Sequence, residues 1–380
     1  MSQNKHLAAI LKAVAVLALL YLFLLSIQLM GTSFKMFGKG FAERLITSTS
    51  NPFVGLFIGV LATSLVQSSS TVTSLVVGFC GGGMLPLEFS IPIIMGANIG
   101  TSITNTLVSL TFVTRKEDFR RAFAGATVHD FFNLSAVAVL FPIELNLHPI
   151  QKMSLALTSV FRNTGGAKFT SPLKAIIKPA VNFIEHALES GLGLSTNAVA
   201  TVMLVLAIAA LIGSLIFLVR TMRSLVISKA ETFIEKYLFS NDALALLIGL
   251  VLTVLVQSSS VTTSLIVPLV GAGILSLRRC FPFTLGANLG TTCTALLASL
   301  ATVGAAGAGG EEGSLVGVTA AFAHLSFNIF GILIFYPLRV VPLTLATSLA
   351  SLATESKKWA AAFILGVFFL LPLLMILITR

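Results

Sequence analysis

A short polar cluster in the middle of an apolar run constrains this chain more than any other feature. Leu65-Val66-Gln67-Ser68-Ser69-Ser70 is followed much later by Leu255-Val256-Gln257-Ser258-Ser259-Ser260. Four consecutive polar side chains are costly at membrane depth, because hydrocarbon offers no water to satisfy them. A chain that places such a cluster in a hydrophobic segment twice is expected to use both copies at one internal site.

The repetition extends well beyond the hexapeptide. Gln257 lies 190 positions after Gln67, and Asn288 lies 190 after Asn98. Between Gln67–Leu110 and Gln257–Leu300 about half the positions are identical without a gap. With a small shift, His129, Asn133 and Phe141-Pro142 are answered by His324, Asn328 and Tyr336-Pro337. Chance similarity of apolar helices would match Leu and Val, whereas these matches include Gln, Ser, Asn, Gly and Thr. Internal duplication in a polytopic membrane protein is the mark of carriers built from two repeats around a midplane site. An odd number of crossings between the repeats would invert one relative to the other.

Composition sets the class. The chain is 56% hydrophobic and 10% charged, with a mean hydropathy of +0.99. Leu11–Leu29, Val199–Val219 and Ala360–Ile378 each approach the ~20 apolar residues that span a bilayer as a helix. The first is read as a retained helix, since no small-x-small cleavage site follows it. Net charge is +10. The basic residues form short clusters between apolar spans, which fits topogenic loop charge and not nucleic-acid binding. Cys80, Cys280 and Cys293 lie in or beside apolar segments, so a disulfide framework is not expected. The sequon at Asn133 sits inside an apolar span, out of reach of glycosylation.

These features predict an all-α polytopic membrane protein in five parts. Residues 1–49 form an N-terminal helix and polar link, with the link running over Gly31–Asn51. Residues 50–142 are repeat 1, and 143–240 are a connector with an interfacial amphipathic helix near Lys174–Glu189 and an unpaired span. Residues 241–338 are repeat 2, and 339–380 carry a last span. Each repeat is expected to hold a re-entrant helical hairpin, because the polar cluster interrupts its apolar run. Each is also expected to hold a broken transmembrane helix, with Gly96, Gly100, Gly286 and Gly290 at the break.

The residue types suggest the cargo. A phosphate-like oxyanion needs hydrogen-bond donors, and serine hydroxyls with the free N–H groups of a broken helix supply them. The positive end of the helix dipole adds to this. Such donors bind more weakly than an arginine cage, which suits a carrier that must release its cargo. Sodium is a hard cation that takes oxygen ligands. Gln67, Gln257, the serine hydroxyls, Thr101, Thr291 and Thr294 offer them. Asp130 is the one carboxylate inside an otherwise apolar helix, and an intramembrane carboxylate marks a candidate functional site. Asn133 lies one turn on, so one cation can touch both. Repeat 2 has Leu325 in place of Asp130, while His129 and His324 are expected to bond a helix break. An intramembrane hydrolase is a poor fit, because the serines come as duplicated triplets without a Gly-x-Ser-x-Gly elbow. With no P-loop, ATP is not the expected energy source.

With these residues in hand, the sequence resembles the type II sodium-dependent phosphate cotransporter family. The resemblance rests on the paired Gln-Ser-Ser-Ser motifs, the Gly-Ala-Asn-Ile-Gly-Thr-Ser run at 96–102 and the Arg-Arg-Ala-Phe-Ala-Gly-Ala-Thr-Val-His-Asp run at 120–130. It covers roughly residues 50–142 and 240–338. It implies sodium-driven uptake of inorganic phosphate, with two re-entrant hairpins meeting near the midplane. By motif position, Ser68, Ser69, Ser70, Ser258, Ser259 and Ser260 hold phosphate, with Asn98 and Asn288 nearby. Gln257, Ser258, Ser260, Thr291 and Thr294 match a sodium site, with Gln67 and Thr101 as first-repeat counterparts. Asp130, with Asn133 beside it, falls where electrogenic members bind an additional sodium. Three sodium ions with one divalent phosphate is the implied stoichiometry. Many members carry Gln and Asp where this chain has Phe112 and Arg115. The connector is shorter than in members with a large glycosylated loop, and it lacks cysteine. Long regulatory tails are missing too, which points to a bacterial inner-membrane member.

The expectation is therefore a multi-pass symporter of the plasma membrane, neither an enzyme nor a nucleic-acid binder. Its partners would be sodium ions, phosphate and the lipid bilayer, with a homo-oligomer open and no organic cofactor. The alternatives are a carrier of another oxyanion or small carboxylate, and a sodium-permeable channel.

Overall fold

The computed structural model describes residues 2–37, 51–164, 166–237, 241–303 and 310–379. Most of the polar link, including Lys39 and Arg44, lies outside them. Every regular element among the described residues is helical. Among them seven helices are long and apolar enough to cross a membrane: Ile10–Phe34, Leu87–Phe112, Lys116–Leu147, Thr196–Thr221, Leu277–Thr302, Leu315–Phe335 and Lys357–Thr379. This is an all-α multi-pass membrane protein, as the composition requires.

The chain opens with α1 (Ser2–Phe37). Then come α2 (Pro52–Val66) and α3 (Ser69–Gly81), which flank the first polar cluster. Next are α4 (Leu87–Gly100), α5 (Ile103–Ser109) and α6 (Lys116–Leu147). Two amphipathic helices, α7 (Pro149–Asn163) and α8 (Gly166–His186), occupy the connector. The span and basic stretch that follow form one continuous helix, α9 (Thr196–Tyr237). The second set is α10 (Asp242–Val256), α11 (Ser259–Gly271), α12 (Leu277–Thr302) and α13 (Gly310–Phe335). The chain closes with α14 (Val340–Glu355) and α15 (Lys357–Thr379).

The two polar clusters fold alike because their residues end one helix and start the next. α2 begins with Asn51, whose side chain accepts from Phe53 N at 2.9 Å, and with Pro52 in the first turn. It stops at Gln67, whose φ of 56° is left-handed and whose N–H donates to Thr63 O at 2.7 Å. Ser68 is extended, and its hydroxyl accepts from Thr71 N at 3.2 Å to cap α3. Gln257 repeats this at φ 59°, donating to Thr253 O at 2.7 Å. Ser258 accepts from Val261 N at 3.3 Å. A left-handed non-glycine residue costs about 1–3 kcal/mol. The chain carries that strain at the same place twice. α2 and α10 have 15 residues each. At 1.5 Å per residue each reaches about 22 Å, short of a ~30 Å hydrocarbon core.

Each first limb lies on the next long helix of its own repeat through glycines. A Cβ on Gly59 would sit 2.1 Å from Ile93 O, and one on Gly96 would sit 1.9 Å from Leu56 O. In repeat 2, Gly249 faces Phe283 O at 2.1 Å and Gly286 faces Leu246 O at 1.8 Å on the same measure. Close backbone approach of this kind drives helix association where lipid removes the hydrophobic incentive. The expected breaks need correction at Gly96, Gly286 and Gly290, while at Gly100 a break does follow directly. α4 runs through Gly96 to Gly100 and breaks only at Thr101-Ser102, while α12 passes Gly286 and Gly290 without interruption. The glycines serve packing against the hairpin instead.

The second limbs cross over. α3 packs against α12 and α13 of the other repeat, with Gly81 against Thr302 and Val77 O against Gly317. α11 packs against α5 and α6, with Val270 against Gly125. Arg121 Nε donates to Gly271 O at 3.0 Å across this contact. A phenylalanine seam joins α6, α12 and α13, where Phe132 meets Phe281 and Phe335 edge-on at 6.1 and 6.4 Å. The second limbs thus pack across between the two halves of the chain on either side of the turns at Gln67-Ser68 and Gln257-Ser258.

Candidate functional site

The two tips share one cavity of about 260 Å³. Repeat 1 contributes Gln67, Ser68, Ser70 and Thr71, and repeat 2 contributes Gln257, Ser258 and Ser260. Thr104 of α5 also lines it, and α9 forms a wall that ends in Arg220. Two helix starts, each capped by its own serine, therefore open on the same space. Free N–H groups and hydroxyls are donors, so this space suits an oxyanion.

Ser69 and Ser259 do not line the cavity, and their carbonyls accept from Thr73 Oγ1 and Thr263 Oγ1 at 2.8 and 2.7 Å. The break after α4 frees the Thr101 carbonyl, which takes the Ser260 hydroxyl at 3.1 Å. This bond ties the second tip to the first repeat. Asn105 Nδ2 adds a bond to Thr263 Oγ1 at 2.6 Å.

Oxygen ligands gather beside the second tip. Thr294 Oγ1 donates to Gln257 Oε1 at 2.9 Å, so these two share a locus. The Thr291 hydroxyl is one turn away and bonds back to Ala287 O at 3.2 Å. Thr101 does the same to Ala97 O at 3.0 Å. Among the described residues no group of three or more His, Cys, Asp or Glu gathers as for a transition metal. Neutral oxygens with at most one carboxylate suit a weakly held hard cation.

Asp130 is fully buried. Ser102 donates to its Oδ1, and Thr106 donates to its Oδ2 at 3.3 Å. Asn133 is engaged elsewhere, donating to Asn98 O at 2.8 Å and accepting from Asn288 Nδ2 at 3.0 Å. Asn98 and Asn288 do not line the serine cavity. They belong to a buried amide cluster with Asn133, Asn328 and His324, whose Nε2 lies 3.3 Å from Asn98 Oδ1.

Sequence reasoning missed Thr104, Ser102, Thr106 and Arg220. Thr104 stands 190 positions before Thr294, inside the aligned stretch Gln67–Leu110, so carrying Thr294 back across the repeat would have found it. Ser102 and Thr106 are ordinary helix hydroxyls until α6 brings Asp130 to them. Arg220 carried no signal, because α9 lies outside both repeats.

A family profile described as Na+/Pi-cotransporter matches residues 22–161 and 210–375. The chain belongs to this Na+/Pi-cotransporter family. This membership bears out the family resemblance read from the sequence. With the seven apolar helices, it makes the chain a multi-pass protein of the plasma membrane. Among similar proteins are "Sodium-dependent phosphate transport protein 2B" of Pongo abelii and of Homo sapiens. Each is 33% identical over 450 residues, covering 95% of this chain and 64% of theirs. "Sodium-dependent phosphate transport protein 2A" of Rattus norvegicus is 34% identical over 432 residues, covering 96% of this chain and 67% of its own. The chain thus spans about two thirds of the length of these relatives. No solved structure matches it.

Proposed function

We propose that this chain is a sodium-coupled symporter of inorganic phosphate working by alternating access. The reading is carried by one observation: two serine-capped helix starts open on a single cavity, in a member of a Na+/Pi-cotransporter family. The dianion would lie between the hydroxyls of Ser68 and Ser70 on one side and Ser258 and Ser260 on the other. Ser69 and Ser259 would contribute through the backbone of the same helix starts, and Asn98 and Asn288 through the buried cluster behind them. The donors are neutral and dipolar, so phosphate is held and then let go.

Sodium would sit at Gln257, Ser258, Ser260, Thr291 and Thr294, with Gln67 and Thr101 as the first-repeat counterparts. Asp130 would take a further sodium, with Asn133 one turn on. Three sodium ions per divalent phosphate would carry one net positive charge inward. The five-part division is proposed on the same footing: two inverted repeats over 50–142 and 241–338, each with a re-entrant hairpin, separated by 143–240 and flanked by 1–49 and 339–380. Short limbs, second limbs packed across between the two halves and close pairing of each first limb with its neighbour support it. Lipid surrounds the bundle, and assembly as a homo-oligomer is compatible with it.

Radiolabelled phosphate uptake into proteoliposomes tests this reading. Accumulation under an inward sodium gradient, but not an equal potassium gradient, is expected. Accumulation unaffected by excess unlabelled phosphate, yet displaced by sulfate or a small carboxylate, would transfer the site to that anion. Non-saturating sodium flux without phosphate accumulation would make the protein a channel.

A further inference from the structure

We propose that Arg220 gathers and selects the anion at the mouth of the serine cavity, an inference that rests on the phosphate reading above. The cavity wall formed by α9 consists of Ile212, Leu215, Ile216, Val219 and Arg220. These residues follow the i, i+3, i+4, i+7, i+8 spacing of one helix face. The first four are apolar, and Arg220 closes the row. Among the described residues it is the only charged side chain that lines the cavity; the other polar lining groups are Gln, Ser and Thr.

Three further observations point the same way. Arg220 makes no ion pair among the described residues, whereas Arg115, Arg120, Arg121 and Arg339 each have a carboxylate partner. Its guanidinium instead lies over the Phe217 ring, 5.7 Å from the centroid. That contact holds it without neutralising it. Arg220 is also exposed, directly after the apolar run Val199–Val219. An arginine that ends an apolar run keeps its charged head towards water while its stem covers apolar surface, and here that surface lines the cavity the serines share.

An unpaired guanidinium at the rim of a low-dielectric cleft focuses its field into that cleft. Its planar fork also matches two oxygens of an oxyanion. The inner site offers only neutral donors, so the charge needed to favour an anion over a neutral analogue comes from Arg220. α9 precedes α10 as α1 precedes α2, and at the 190-residue offset Met30 stands where α9 has Arg220, so only one half of the chain carries this charge. Phosphate is thus drawn in by Arg220 and passed to the paired serines, where no full positive charge of the protein traps it.

Equilibrium binding of radiolabelled inorganic phosphate to the purified full chain, at fixed saturating sodium, tests the proposal. Ionic strength is varied with choline chloride. R220Q is expected to bind about tenfold more weakly than wild type. R220K keeps the point charge and is expected to stay within about threefold of wild type. Wild-type and R220K affinity should fall as choline chloride rises, whereas R220Q affinity should barely respond. R220Q with wild-type affinity and wild-type salt dependence would overturn the role of Arg220 and leave the phosphate reading intact. Equal losses in R220Q and R220K, without a change in salt dependence, would make the residue structural and also overturn it. Wild-type protein that shows no sodium-dependent phosphate binding would overturn the phosphate reading itself, and this inference with it.

Discussion

Asn288 on α12 donates its amide to Asn133 Oδ1 on α6 at 3.0 Å, a direct bond between helices of the two repeats. Asn288 Nδ2 also reaches Asn328 Oδ1 at 3.1 Å. Asn133 and Asn328 then donate to the backbone oxygens of Asn98 and Asn288, at 2.8 and 3.2 Å. The cluster is buried, so deleting one partner strands another. Asn288→Ala and Asn133→Ala should each destabilise the protein by about 1–3 kcal/mol. The double variant should lose less than the sum, since the second deletion removes a group already stranded. Chemical denaturation in detergent micelles measures this. Strictly additive losses would separate the two residues.

Glycine at the hairpin contacts should be irreplaceable, unlike glycine elsewhere. Gly286→Ala puts a methyl 1.8 Å from the Leu246 carbonyl, a backbone atom that cannot swing away. The expected cost is about 1–3 kcal/mol, with loss of uptake as α10 is displaced. Gly213 meets nothing within 4 Å. Gly213→Ala should be neutral or stabilise its helix by about 0.5–1 kcal/mol. Thermal unfolding of the two variants side by side checks the contrast, and equal behaviour would contradict the packing described.

The start of α10 carries an acid-sensitive contact. Asp242 Oδ2 accepts from Arg339 at 2.6 Å and from the Tyr336 hydroxyl at 3.1 Å. Slight burial pushes the Asp242 carboxyl up, but the Arg339 and Tyr336 bonds with the Arg339 and Arg278 charges bring it below its ordinary value. A folded-state value below the unfolded one gives stability that is present above about pH 4 and is lost as pH falls through the folded value. The site is partly exposed, so the amount is about 1 kcal/mol or less. Asp242→Asn should flatten this part of the stability–pH curve below about pH 4, as read from melting temperatures. An unchanged acid slope would argue against the contact.

Asp130 should govern the charge moved per cycle. Its carboxylate is fully buried and meets Ser102 and Thr106. Without its sodium, one positive charge fewer crosses with each phosphate. Asp130→Gly is expected to retain sodium-dependent phosphate uptake while abolishing the phosphate-evoked current. A persisting current in electrical recordings from proteoliposomes would remove Asp130 from the coupling scheme.

Much of this architecture was legible before the structure, and the reasons are physical. The interruption of each apolar run at its Gln-Ser-Ser-Ser cluster was legible because it is a local event, whereas the left-handed turns at Gln67 and Gln257 and the caps at Ser68 and Ser258 came with the structure. The duplication was legible because polar residues inside lipid-facing segments are rare enough to align. What could not be read was contact across the repeats. Gly96 and Gly286 look alike whether they break a helix or seat a neighbour, and only the position of Leu56 and Leu246 decides between these. Asn133 shares a helical face with Asp130 in sequence, yet Asn288 and Asn98 claim its side chain. The reach of α9 to the serine cavity depends on tertiary packing alone.

The central claim is that the two capped helix starts form one phosphate site, and alanine substitution at both tips tests it most directly. Sodium-driven phosphate uptake is measured in proteoliposomes for Ser70→Ala, Ser260→Ala and the double variant. The account predicts that each single change weakens apparent phosphate affinity by about tenfold, a charge-assisted bond being worth about 1.5–3 kcal/mol. The double variant should lose sodium-dependent uptake while remaining folded. Wild-type affinity in either single variant would contradict a shared site at these tips.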